Sequence, residues 1–470
     1  MRKYVFTVLF GIYLALGTCA HCAEIVYPKS EVYEVYAPST FFVGNENPSK
    51  ILKINSNEVK LSKSGGFFYP VDLEMGENIF NIDNGSEVQT YTIIRKEKTS
   101  VAEPDSITRF DVPITCVTVK DNVPLRSFPY DGGITRIQHF DKGIPLNIIG
   151  EYNGFYQVQL ARDDYAWIDK KFVTEIKGFN NSPANIENFI YEETPNERIY
   201  TIKLSKKVPY VLSETRLYTT EHYKSFVSVS NGLDLVVYNV KNYPENKYEI
   251  HINKVGAKSF GYKIFYNDNC ELVIKVKNFP TINPEKPLEG IKITLDAGHG
   301  GKEYGSIGCL GTKEKDVNLQ LVQKLKKQLE SKGAIVFLTR KDDSYMDLVP
   351  RVKFSQNHNS DIFISIHNNA LPDGSKVKMP SSSSVFYYYD QSAQLAGDIV
   401  EALTSQTGLS NNGIEQASFA VVRNTESPAV LLEVAYMISP EDNEKLILEN
   451  FQEDVANAVV KGIERYFNEK

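Results

Sequence analysis

The chain has 470 residues, 42% hydrophobic and 24% charged, with a formal net charge of −7. That length exceeds what one hydrophobic core serves, so several domains are expected. The acidic balance and the lack of a Lys/Arg block exclude nucleic acid as a partner, while the apolar content is that of a globular protein.

Met1-Arg2-Lys3 is a basic start, residues 4–17 are an apolar run short for a bilayer span, and Thr18-Cys19-Ala20 offers small residues for cleavage. The pattern predicts a signal peptide over residues 1–23 and a mature chain without a transmembrane segment, secreted across the inner membrane to the periplasm or cell wall. LGTC, ending at Cys19, leaves lipoprotein processing as the rival. Cys116, Cys270 and Cys309 are odd in number and far apart, so they predict neither a disulfide framework nor a CxxC metal site.

Residues 24–97 alternate with period two in ILKINSNEVKL and TYTIIRK, and the Asn-Ser-Asn insert marks a hairpin turn. A small β-sandwich is expected, and the stretch resembles bacterial immunoglobulin-like modules. After the polar linker KEKTSVAEPDS, residues 110–177 carry VPLRSFP, KGIPLNIIGEYNGFYQVQL and YAWIDKKFV. These resemble the bacterial Src-homology-three type of small barrel, which often binds cell-wall peptide. Trp167, the single tryptophan, is expected in the core of that barrel. Residues 185–280 hold further strand-like runs, RIYTIKL, LDLVVYNV and CELVIKVKNF. They are similar to β modules that precede catalytic domains in secreted wall hydrolases.

Past the linker TINPEKPLEG, residues 290–470 change character. IKITLD, AIVFLT, DIFISIH, VFYYY and AVLLEV alternate with helical patterns. VNLQLVQKLKKQLESKG spaces Val317, Leu321, Leu325 and Leu329 four apart, with Gly333 placed to stop the helix. The pattern predicts an α/β carboxy-terminal domain, a mostly parallel sheet flanked by helices, preceded by several small all-β domains.

Three polar groups fall where such a sheet would present them. His299, in LDAGHGG, follows the first strand; Glu314 lies in the loop before the first helix; His367 ends DIFISIH. Ligands bind outside the carboxyl ends of strands in open α/β sheets. Two imidazoles and one carboxylate form a zinc donor set that leaves a fourth position for water. Glu433 ends the apolar strand AVLLEV, where an unpaired carboxylate is costly. Singly, His299 reads as a turn residue, Glu314 as a solvated charge, His367 as a strand-end histidine, and Glu433 as a partner for Arg423 or Arg340.

Residues 291–466 resemble the zinc-dependent N-acetylmuramoyl-L-alanine amidases through LDAGHGG, EKDVNL, LTRKDD with Arg351, DIFISIHNNA and SFAVVRNTESPAVLLEV. The resemblance implies that His299, Glu314 and His367 bind one zinc ion, while Glu433 is the catalytic glutamate. Peptidoglycan is the implied partner, cut between the lactyl group of N-acetylmuramic acid and L-alanine by zinc-activated water. The family usually has proline at Ala297, alanine at Asn368 and a basic residue at Asn412. Asn369 and Arg423 are candidate substrate-binding residues. A zinc peptidase acting within the wall peptide and a non-catalytic wall-binding protein are the alternatives. The loop holding the serine run 381–384 is polar and cannot bury an apolar face. About two residues separate Tyr389 from the helix expected to start near Ser392, too few for a helix that blocks the zinc site, so no dedicated activator is expected.

Overall fold

A computed structural model describes residues 23–97, 106–179, 181–222, 225–253, 260–375 and 380–468. The signal-peptide and lipoprotein expectations lie outside these residues, as does most of the linker KEKTSVAEPDS. Among the described residues, no helix is long and apolar enough to cross a membrane. The chain divides into two compact units, Met1–Glu97 with Pro372–Lys378, and Lys98–Leu371 with Met379–Lys470.

The first unit has two sheets. Glu24–Tyr27, Ser39–Asn45 and Gly66–Asp72 form one, and Val32–Val35, Val88–Arg95, Gly76–Asp83, Leu52–Ile54 and Asn57–Val59 form the other. Period-two alternation sends Phe42, Leu52, Phe67, Ile82 and Ile93 into a shared interior. The expected hairpin turn is made by Asn55 and Ser56, both left-handed at φ 47° and 67°, as a two-residue loop between twisted strands requires.

In the second unit, the strands between Thr108 and Glu175 build a seven-stranded sheet. Trp167 is buried there, with Tyr152 edge-on at 6.3 Å. Residues 186–277 add a four-stranded and a three-stranded sheet. The apolar side chains of these sheets and of the seven-stranded sheet form one continuous interior, running from Cys116 and Phe140 through Tyr210 to Ile274. Phe140 meets Tyr210 edge-on at 5.5 Å, and Gln138 accepts from the Leu212 amide at 3.1 Å.

The carboxy-terminal part is a six-stranded sheet. Its strands are β1 (Lys292–Ala297), β2 (Ile335–Leu338), β3 (Ile362–Asn369), β4 (Ser383–Tyr387), β5 (Asn411–Gln416) and β6 (Ala429–Tyr436), ordered β2-β1-β3-β6-β4-β5. All neighbours pair parallel except β4 with β6. Helices α1 (Glu314–Ser331), α3 (Ala393–Thr407) and α4 (Glu449–Asn468) pack with Ile293, Leu295, Ile364 and Leu432. The four spaced residues of α1 are all buried, and Gly333 follows the helix at φ 88°. Helix α2 (Leu348–Asn357) lies near the short turn Ala420–Val422, whose valines join Phe363 and Leu431 in a smaller cluster. Upstream residues complete the main core: Leu288 and Phe260 are buried in it, and Phe279 packs on Phe467 at 5.8 Å.

Three local expectations change. Glu314 opens α1 instead of preceding it, a favourable place for a carboxylate at the positive end of the helix dipole. Strands β3 and β6 run two and three residues past His367 and Glu433, because pairing continues on to Tyr436. The serine run is only partly loop: Ser381 and Ser382 precede the strand and Ser383 opens it. Ser383 and Ser384 are buried at the start of β4, with the Ser383 hydroxyl on the Val434 carbonyl and Ser381 on Asp442. Hydroxyls small enough to hydrogen-bond their surroundings tolerate burial.

Candidate metal and catalytic site

The site forms at the carboxyl ends of β1, β3 and β6. His299 lies two residues beyond β1 with φ 62°, a left-handed conformation that turns the chain sharply out of the sheet. The glycine before it is required by packing. A Cβ on Gly298 would lie 2.3 Å from the His367 ring. That glycine makes room for the second histidine. Likewise, a Cβ on Gly305 would meet Glu314 Oε2 at 2.4 Å.

Two buried arginines fix this turn. Arg351 donates to Asp296 Oδ1 at 2.8 Å and to the carbonyls of Ala297 and His299 at 2.9 Å each. Arg340 donates to the carbonyls of Ala297, Gly298 and Lys315, joining the turn to the first residues of α1. Asp296 is fully buried and also accepts from Thr339 at 2.6 Å and Ser365 at 2.7 Å. LDAGHGG displays Asp296 openly, but its three partners come from three later segments, so no local pattern announces its role.

Glu314 Oε1 accepts from both imidazoles, lying 3.2 Å from His299 Nε2 and 3.0 Å from His367 Nδ1. One donor atom from each of the three residues lies within 4.8 Å of the others. Burial raises the Glu314 carboxyl, but the hydrogen bonds from His299 and His367 outweigh it and leave it well below the usual carboxylate range. Asn318 steadies the same oxygen at 3.3 Å and accepts from Asn368 at 2.8 Å. The Asn368 amide N–H also donates to Glu314 at 3.2 Å.

Glu433 sits beside His367 in the register of β3 and β6. Burial, and secondarily the charge of Glu314, push its carboxyl well above the ordinary value. Among the described residues its Oε2 is buried without a hydrogen-bond partner, and it pairs with neither Arg423 nor Arg340. With His299 and His367 it lines a cavity of about 410 Å³ whose apolar walls include Met346, Leu348, Phe419 and Val421.

Neither proposed substrate contact is among the residues lining that cavity. The Asn369 carboxamide accepts from the next amide, of Ala370, at 2.8 Å, as a turn cap does. Arg423 donates to the carbonyl of Ser418 and, at 3.1 Å, to its hydroxyl. Phe419, absent from the sequence-based candidates, is 43% exposed and does line the cavity.

This is an α/β enzyme domain with a two-histidine, one-carboxylate set able to hold a metal at the strand ends. Residues 293–465 match the family model described as N-acetylmuramoyl-L-alanine amidase. An uncharacterized protein, YqiI, of Bacillus subtilis (strain 168) is 32% identical over 194 residues, which cover 40% of this chain and 91% of that protein. The probable cell wall amidase LytH of Staphylococcus aureus is 36% identical over 222 residues, covering 47% of this chain and 71% of that one. Among solved structures, the catalytic domain of CwlV, an N-acetylmuramoyl-L-alanine amidase from Bacillus (Paenibacillus) polymyxa var. colistinus, is 34% identical. The match covers 38% of this chain and 99% of that one, with a TM-score of 0.36. The chain belongs to the N-acetylmuramoyl-L-alanine amidase family and is a peptidoglycan amidase.

Proposed function

We propose that the chain works outside the cytoplasm, at the cell wall. There it cleaves the amide between the lactyl group of N-acetylmuramic acid and the L-alanine of the stem peptide. In this reading His299, Glu314 and His367 hold one zinc ion, and the sheets upstream bring the enzyme to its substrate. Nitrogen and oxygen donors in this number suit a catalytic zinc site with an open position. The observation that carries the proposal is the unpartnered Oε2 of Glu433 beside that donor set. A buried polar atom without a partner is costly, and water or substrate at the cavity would satisfy it.

When bound, zinc supplies a Lewis acid and a lowered pKa for water at the site. Glu433 takes the proton of the attacking water, then delivers a proton to the departing alanine nitrogen. Asn318 and the Asn368 amide orient Glu314, while Arg340 and Arg351 hold the His299 turn. Met346, Leu348 and Phe419 offer apolar surface that displaces water from the reacting amide.

The test is Glu433→Gln in the full chain, assayed on purified sacculi with products identified by mass. The variant should keep its zinc and lose a factor of about 10²–10⁴ in rate. Wild-type turnover in that variant, or shortened peptides in place of freed stem peptides, would refute the proposal.

A further inference from the structure

Phe419, Ala420 and Val421 stand on the loop joining β5 to β6 and form part of the cavity wall. Two of the anchors of that loop belong to the same sheet. Val421 and Val422 pack with Phe363 and Leu431, and Phe386 meets Phe419 edge-on at 5.3 Å. Another anchor comes from far upstream. Arg136, in the seven-stranded sheet, donates to the Ser418 hydroxyl at 3.3 Å, and Arg423 donates to the same hydroxyl at 3.1 Å. The Tyr388 hydroxyl, just past β4, donates to the Arg136 carbonyl at 3.1 Å. At Gly133 the two chains approach so closely that an added Cβ would lie 2.6 Å from the Cβ of Ser418.

We propose that Arg136 and Gly133 are positioning residues for the amidase reaction. They fix Ser418, and through it the place of Phe419 in the cavity wall that receives the substrate. The inference rests on reading this cavity as the amidase site. Ser418 is the residue directly before Phe419, so a shift of one moves the other. Partly exposed aromatic surface in a cavity wall contributes to binding only where it meets the ligand, and a misplacement near 1 Å is enough to matter in a reactive complex. The seven-stranded sheet thereby acts on how the cavity receives its substrate, in addition to any grip it has on the wall.

Two variants of the full chain separate this from general damage. Arg136→Ala removes the donor. Gly133→Ala adds one methyl group against Ser418, at a position without a left-handed φ, so the backbone is not strained. Each is loaded with zinc and assayed on a soluble muramoyl peptide, and hydrogen exchange is followed in residues 418–423. KM should rise about fivefold in Arg136→Ala, the loss expected for one hydrogen bond, and should rise in Gly133→Ala as well, with kcat within about twofold and the pH profile unmoved in both. Exchange in the loop should quicken.

Unchanged KM and unchanged exchange in both variants would overturn the inference. So would a parallel fall in kcat and bound zinc, which marks damage to the site as a whole. Failure of the underlying reading looks different. The wild-type chain would then release no stem peptide, and this inference would fall with it.

Discussion

Arg351→Met should be among the most damaging single substitutions in the carboxy-terminal sheet. Arg351 is 2% exposed and makes five hydrogen bonds: to Asp296, to the carbonyls of Ala297 and His299, and twice to that of Met346. Methionine keeps much of the aliphatic stem, so the loss is mainly polar. Asp296 would retain only the Thr339 and Ser365 hydroxyls as partners. Removing one member of a buried ion pair costs about 3–5 kcal/mol. For a domain of this size, each kcal/mol lowers the melting temperature by about 2–4 °C, so a drop of about 6–20 °C is expected. Tryptophan fluorescence would miss it, because the one tryptophan, Trp167, belongs to another sheet. Calorimetry, or hydrogen exchange in β1, reports the right region. Freed from its clamp, the His299 turn should also bind zinc about 10–100-fold more weakly. Adding Asp296→Asn should recover part of the stability by removing the stranded charge. A drop below about 3 °C, or a double variant weaker than the sum of the singles, would refute the reasoning.

His299→Ala and His367→Ala should each lose wall hydrolysis and lower bound zinc, since three protein ligands are the working minimum; near-stoichiometric zinc in either would remove the assignment. His139 gives a pH effect. Burial, and then the charges of Arg136, Arg423 and Arg126, lower its pKa from 6.5 to about 4. The unfolded chain therefore takes up a proton below about pH 6.5 that the folded chain refuses until about pH 4. Stability should fall through that window by up to about 3 kcal/mol, and His139→Gln should flatten the fall in calorimetric scans. A piece spanning residues 290–470 should melt below one beginning at residue 278, because it lacks Leu288 and Phe279. Burial of that apolar surface is worth about 2–4 kcal/mol, and equal melting temperatures would show that those residues are dispensable.

The alternation of apolar runs with helical spacing made the carboxy-terminal sheet legible, since each strand and helix is coded locally. Val317, Leu321, Leu325 and Leu329 are buried as their spacing requires. The donor set was legible through the resemblance carried by LDAGHGG, EKDVNL and DIFISIHNNA, since no local spacing joins His299, Glu314 and His367. What the sequence hid is long-range. Asp296 looks like one more turn residue until Thr339, Arg351 and Ser365 close around it. Asn369 and Arg423 are candidates whose local partners no sequence pattern shows: the Asn369 carboxamide caps the Ala370 amide, and Arg423 donates to the Ser418 carbonyl and hydroxyl. Phe419 carried no signal, because an exposed aromatic in a loop is ordinary until a cavity is seen beneath it.

The interior shared by the seven-stranded sheet and the sheets of residues 186–277 bears on how such chains can be assembled from parts. A segment that borrows half of its core from the next cannot be transplanted alone, since Phe140 without Tyr210 and Gln138 without Leu212 leave an open seam. A crossover near residue 180 cuts through one core and strands apolar surface on both daughters. A crossover near residue 98 falls where the first unit ends. Recombination between related genes should therefore leave hybrids that inherit residues 108–277 together, and with them the carboxy-terminal sheet into whose core Phe260 is built.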